Sequence, residues 1–211
     1  MISVLVAHAK GGCGKTTIAT NLATAFANAG LRTGLADADR QGSSLKWLKL
    51  RPDSAAPIET LDWRKGRVDV PKKMARLVID AGAGVDSERV RALLKDADMI
   101  IMPVLPSVFD EAATKRFLKR VDELKPVQSG RKPVMVVANR VRANTRAAKE
   151  LDEFLGSLGH DVVTRLGDRA IYQDVARQGL GIFDLPPSRR AGVINDWLPM
   201  VRRVEDWVVQ G

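Results

Sequence analysis

Residues 10–17 read Lys-Gly-Gly-Cys-Gly-Lys-Thr-Thr, directly after the apolar run Ile2-Ser3-Val4-Leu5-Val6. The glycines Gly11, Gly12 and Gly14 allow a tight turn whose backbone N–H groups converge on one point, which is how a loop between a strand and a helix captures phosphate. Lys15 supplies a cation for the β- and γ-phosphates, and the Thr16 hydroxyl supplies an oxygen ligand for Mg²⁺. Cys13 and Thr17 complete the loop. The strict form of this pattern has glycine at position 9, where this chain has Ala9, and it has no requirement for Lys10.

These residues need a scaffold, and the hydrophobic pattern gives one. Strands are predicted at residues 2–8, 33–36, 57–61, 77–79, 99–102, 134–138 and 162–166. Helices are predicted at 15–29, 43–50, 111–124, 145–158, 169–177 and 191–209. Alternation of the two along a chain means a parallel sheet with helices on both faces. Ligands of such sheets bind beyond the carboxyl ends of the strands. Lys10, Asp39, Asp80 and Asn139 all fall at those ends.

Composition bounds the rest. The 211 residues, 45% hydrophobic and 28% charged, suit one globular domain spanning 1–211. The single cysteine, Cys13, excludes an internal disulfide and a cysteine metal cage. It suits a reducing compartment. With no leader-like start and no apolar run of about 20 residues, a cytoplasmic location is expected. The net charge of +9 favours a polyanionic partner, nucleic acid or an anionic membrane, over a basic protein without one. The excess lies in residues 1–139, with 23 basic against 15 acidic residues, whereas residues 140–211 hold 11 against 10.

The loop resembles the deviant Walker A motif of the ParA/MinD family of P-loop ATPases, and further motifs follow in order. Asp37-Ala38-Asp39-Arg40-Gln41-Gly42 is similar to that family's Asp-x-Asp-Pro-Gln-Gly, with Arg40 in place of proline. Leu77-Val78-Ile79-Asp80 resembles its Walker B strand, followed here by Ala-Gly-Ala-Gly where relatives carry prolines, which implies a more flexible loop. Pro103-Val104-Leu105-Pro106-Ser107, Val136-Val137-Ala138-Asn139-Arg140, Asp168-Arg169, Tyr172 and Gly179 also match. The resemblance implies a single-domain α/β P-loop NTPase with a mostly parallel central sheet and ATP and Mg²⁺ as cofactors. It implies that Lys10 reaches the phosphates of a partner in an ATP-sandwiched homodimer, much as an arginine finger does. Asp39 would orient the attacking water, Asp80 would hold Mg²⁺ through water, and Asn139 would read adenine through its donor and acceptor. Asp39, Asp80 and Asn139 could instead be turn or capping residues.

The family comparison also sets the expected function: a ParA-like ATPase that positions a plasmid, a chromosome region or a protein assembly. The closed dimer would bind double-stranded DNA without sequence preference, becoming nucleoid-associated. A cargo-bound, ParB-like activator would stimulate hydrolysis. Arg169, Arg177, Arg189 and Arg190 lie where ParA relatives place DNA contacts. Two other basic groups, Lys115/Arg116/Lys119/Arg120 and Arg64/Lys65/Arg67/Lys72/Lys73/Arg76, are further candidates or simply solvated faces. The alternatives are a MinD-like membrane-associated ATPase, for which the C-terminal helix would be the anchor, and an ATP-dependent synthetase. Core packing is the competing and favoured role for that helix, so a membrane partner is not expected. His8 and His160 stand apart and are not read as metal ligands, and iron–sulfur chemistry lacks its cysteines.

Overall fold

Seven strands pair in parallel throughout in the computed structural model of the protein, which describes residues 1–83 and 88–210. Their order across the sheet is β3-β2-β4-β1-β5-β6-β7. The strands are β1 (Ile2–Val6), β2 (Thr33–Asp37), β3 (Ile58–Asp62), β4 (Arg76–Asp80), β5 (Met99–Val104), β6 (Val134–Val141) and β7 (Asp161–Gly167). Strand β1 is central because its residues are apolar on both faces, as a strand covered on two sides must be. Val4 and Val6 enter one core layer and Leu5 the other.

The Val4 side is covered by α1 (Lys15–Asn28), α2 (Ser43–Leu50), α7 (Ile171–Ala176) and α8 (Pro187–Gln210), through Ile18, Leu22, Phe26, Trp47, Tyr172, Trp197, Met200 and Val204. The Leu5 side is covered by α3 (Glu88–Asp96), α4 (Val108–Asp122) and α6 (Arg146–Gly156), through Leu93, Leu94, Phe117, Leu118, Leu151 and Phe154. A single turn, α5 (Lys125–Gln128), links α4 to β6. The sheet reverses its winding around β1, and the loop after that strand therefore opens at a switch point.

The sequence reading placed the strands and most helices, with differences at the ends. The sheet is entirely parallel, not mostly so. Helix α4 starts at Val108 and α8 at Pro187, both earlier than read from the pattern; proline at a first helical position loses no intrahelical bond. Pro199 lies inside α8, yet the helix continues because Trp197, Met200 and Val204 pack on both sides of it. Helix α3 was not foreseen: it is mostly charged and has Leu93 and Leu94 as its anchors. The Arg64–Arg76 run is not one basic face. Arg76 is buried and donates to Glu205 at 2.9 and 2.6 Å, and Arg67 pairs with Asp96. The last residue of the Ala-Gly-Ala-Gly run, Gly84, lies outside the described residues.

One polar bolt fixes α2 to the chain that precedes α8. Arg51, just past α2, donates to both Asp184 oxygens at 2.9 Å, to the Ala56 carbonyl and to that of Gly179. Asp184 also accepts from Asn28 and from the Gly181 N–H. Burial pushes the Asp184 carboxyl up, but these donors outweigh it and leave it below its ordinary value. Gly179 has φ 67, and a Cβ there would stand 2.3 Å from the Arg51 nitrogen, so the two segments touch backbone to backbone. Removing one partner of a buried pair leaves an uncompensated charge, at a cost of about 3–5 kcal/mol. Urea unfolding of Arg51→Ala should show a loss of that order; a loss below about 1 kcal/mol would mean that the pair is solvated.

Candidate functional site

Register sets the site. Val6 of β1, Asp37 of β2 and Asp80 of β4 stand side by side at the carboxyl end of the sheet. The chain then leaves β1 into the loop at residues 10–17. Gly14 has φ 97, a left-handed value costly for other residues, and a Cβ there would lie 2.1 Å from the Asn139 amide nitrogen. Asn139 is the reason for that closeness: its Nδ2 donates to the Cys13 carbonyl at 2.8 Å, and its Oδ1 accepts the Arg140 N–H. It thus braces the loop from β6 and keeps one donor and one acceptor site for a further partner. Lys15 is buried and donates to the Lys10 carbonyl at 2.8 Å, folding over the loop. Cys13 is buried too, and burial pushes its thiol up, so it is a small core residue and not a nucleophile.

Asp80 is the most constrained group here. Its Oδ2 accepts from the Thr16 hydroxyl at 2.8 Å and from the Ser44 hydroxyl at 2.6 Å, while its Oδ1 is buried without a partner. Burial raises its carboxyl to about 6 against the donations from Ser44 and Thr16. An orphaned carboxylate oxygen beside a loop threonine is a good fit to Mg²⁺, a hard cation that takes few protein oxygens and completes its shell with water and phosphate. Among the described residues no three His, Cys, Asp or Glu side chains gather to hold a metal otherwise. Asp37 lies next to this group and fixes the following turn, accepting the N–H groups of Asp39 and Leu45. Asp39 accepts the Gln41 N–H and sits against Gly82, where a Cβ would be 3.4 Å from its Cα. Arg40, in place of the family's proline, is exposed.

Lys10 is held by Asp110 of α4, in a salt bridge and hydrogen bond between its Nζ and Oδ1. The lysine side chain is 40% exposed and the aspartate 1%. Asp110 Oδ2 is a second buried oxygen without a partner. His8 Nδ1 accepts the Lys10 N–H, so its Nε2 carries the proton and donates to Thr114 Oγ1 at 3.1 Å. Burial, then the Lys15 charge, lowers its pKa to about 4 and keeps it neutral. The sequence set His8 aside, placed Asp37 in a motif without giving it a role, and did not single out Asp110, Thr114 or Ser44. Asp110 had a weak signal, an acid in the first turn of a helix.

Two clefts flank the first turn of α1 and share Thr17, Tyr172 and Gln173. One, of about 240 Å³, is lined by Asn139, Arg140, Asp168 and Arg169. The other, of about 290 Å³, lies between α1, α2 and α7 and has Lys46, Trp47 and Arg177 on its walls. The late arginines have different partners. Arg169 is 3.8 Å from Asp196, Arg177 is 4.0 Å from Asp174, and Arg190 donates to the Phe183 carbonyl at 3.1 Å. Arg189 is exposed near the start of α8.

The family model for the CobQ/CobB/MinD/ParA nucleotide binding domain matches residues 4–177. The Maintenance of carboxysome distribution protein A of Halothiobacillus neapolitanus is 26% identical over 216 residues, covering 93% of this chain and 96% of its own. Among solved structures, the ATP complex of a Cyanothece McdA variant superposes with a TM-score of 0.75 at 14% identity, covering 99% of this chain and 96% of that one. The Mg-ADP complex of Pyrococcus horikoshii MinD gives 0.71 at 15% identity, covering 96% and 95%. At such identities the two structures speak to the fold.

The raised Asp80 carboxyl has a measurable consequence. Its native value of about 6 exceeds the ordinary 3.8, so the unfolded chain gives up this proton first as pH rises. Native stability from this group is full below about 3.8 and lost as pH rises through about 6. Two units correspond to about 3 kcal/mol. Asp80→Asn, measured without metal or nucleotide, should therefore unfold at a higher urea concentration than the parent at pH 7, with the advantage vanishing near pH 4. A variant less stable than the parent at pH 7 would contradict this.

Proposed function

The chain belongs to the CobQ/CobB/MinD/ParA nucleotide-binding family, and from that premise we propose that it is a Mg²⁺-dependent ATPase that positions an intracellular assembly by ATP-controlled dimerisation on DNA. Gly11, Gly12, Cys13 and Gly14 present backbone N–H groups to the phosphates, and Lys15 and Thr17 follow at the start of α1. Thr16 directly and Asp80 through water would hold Mg²⁺, which would supply positive charge to offset the negative charge of the phosphates. Asp39 orients the attacking water. Asn139 uses its remaining donor and acceptor for adenine.

The observation that carries the dimer is the position of Lys10. It contributes its carbonyl to Lys15, but its ammonium group stands partly exposed at the loop entrance with Asp110 as its partner. A lysine so placed can exchange Asp110 for the phosphates of a second copy. The net charge of +9 supports a polyanionic matrix. DNA is favoured over lipid because Trp197, Met200 and Val204 of α8 are buried in the core and are not available to a membrane. No described helix is long and apolar enough to cross a membrane. The likeness to a carboxysome distribution protein supports a large protein assembly as cargo. In this reading a cargo-bound, ParB-like activator would stimulate hydrolysis.

Each neutralised phosphate adds about −0.9 to the slope of log K against log salt, and a two-fold dimer counts every contact twice. The protein with Mg-ATP should bind arbitrary duplex DNA at low salt and weaken steeply with added salt, while the ADP form binds little. Charge reversal of Arg177 and Arg189, both exposed, should flatten the slope and leave ATP affinity unchanged. ATP-loaded protein that ignores DNA at low salt and pellets with anionic liposomes would replace this reading with a MinD-like one.

A further inference from the structure

Ser44 has no part in the family pattern read from the sequence, yet it is fully buried and its hydroxyl donates at 2.6 Å to the carboxylate proposed to hold Mg²⁺. We infer that Ser44 is a positioning residue for the metal, acting through Asp80; this rests on the Mg²⁺-ATP reading of the site.

The protons and lone pairs around Asp80 are few enough to count. A serine or threonine hydroxyl has one proton and two lone pairs. Thr16 and Ser44 both place their proton on the same oxygen, Asp80 Oδ2. With its proton committed there, Thr16 has only lone pairs left for its other side, as a ligand to a cation requires. Asp80 Oδ1 is left over, buried and unpartnered. Without Ser44, Thr16 alone would hold the carboxylate, which could then turn and exchange its two oxygens. Two donors from different helices prevent that. Groups that orient a metal ligand in this way commonly change metal affinity by about 10–100-fold when removed.

Ser44 is also delivered by a fixed element. Its neighbour Leu45 donates its N–H to Asp37 Oδ2 at 2.9 Å. Further along α2, Trp47 Nε1 donates to the Leu180 carbonyl, and Arg51 beyond the helix is bolted to Asp184. The serine hydroxyl is therefore held by a helix anchored at both ends, and it links α2 to the metal end of β4. Ser44 has no exposed surface and is not itself a ligand.

The test is a Mg²⁺ titration of a fluorescent ATP analogue bound to the parent, Ser44→Ala and Ser44→Thr, with a parallel measurement in EDTA. Ser44→Ala should need about tenfold more Mg²⁺ for half-maximal effect, with affinity in EDTA within about twofold of the parent. Ser44→Thr, which keeps the hydroxyl, should recover most of the loss. On an Asp80→Asn background Ser44→Ala should have no additional effect, because the serine acts through the carboxylate. Equal weakening with and without Mg²⁺, an unchanged titration, or full additivity with Asp80→Asn would each overturn the assignment. A parent protein that binds the analogue without any Mg²⁺ dependence would instead refute the underlying Mg²⁺-ATP reading.

Discussion

A buried carboxylate shared by two hydroxyls holds the working end of this molecule together. Asp80 closes β4 at the same level as Val6 of the central strand and Asp37 of β2. From there Thr16 reaches it from α1 and Ser44 from α2. Burial of that charge is unfavourable, and the raised carboxyl value is its signature. A buried carboxylate with one oxygen left unpaired weakens the bare fold and is well suited to a cation. The same economy of polar groups extends outward: Asp37 organises the turn that carries Asp39, and Asp39 lies against Gly82, where a side chain would crowd it.

The loop lysines pose a second electrostatic problem, since two ammonium groups sit near one short turn. Each has a local acceptor. Lys15 folds onto the Lys10 carbonyl, and Lys10 turns outward to Asp110 on α4. His8, neutral and bonded to both the Lys10 N–H and Thr114, ties the loop entrance to the same helix without adding charge. The two cations are therefore separated, one inward over the loop and one at its mouth, as the proposed roles in binding and in dimerisation require.

Much of this was legible in the sequence because it is local. Three glycines, a lysine and two threonines after an apolar strand define their own geometry, and Asp39, Asp80 and Asn139 follow apolar runs that could only be strands. What escaped depends on contacts between distant segments. Ser44 reads as an ordinary first-turn serine until β4 is placed beside it. Asp110 reads as a helix-start acid, and only the packing of α4 brings it to Lys10, 100 residues earlier. Arg76 reads as one more cation in a basic run, whereas pairing with Glu205 takes it inside. In sequence, helix α3 carries an apolar stripe in Val90, Leu93, Leu94 and Ala97, but the helix is short and mostly charged, and that charge masked the stripe. Asn139 was legible as a residue at a strand end, but its bond to the Cys13 carbonyl was not.

Sedimentation velocity of the Asp39→Ala protein with and without Mg-ATP tests the central claim most directly. The account predicts a 23.0 kDa monomer that doubles in mass only when Mg-ATP is present. It also predicts that adding Lys10→Ala returns the protein to a monomer that still binds the nucleotide. A dimer that persists without Lys10, or a parent that never leaves the monomer at saturating Mg-ATP, would contradict it.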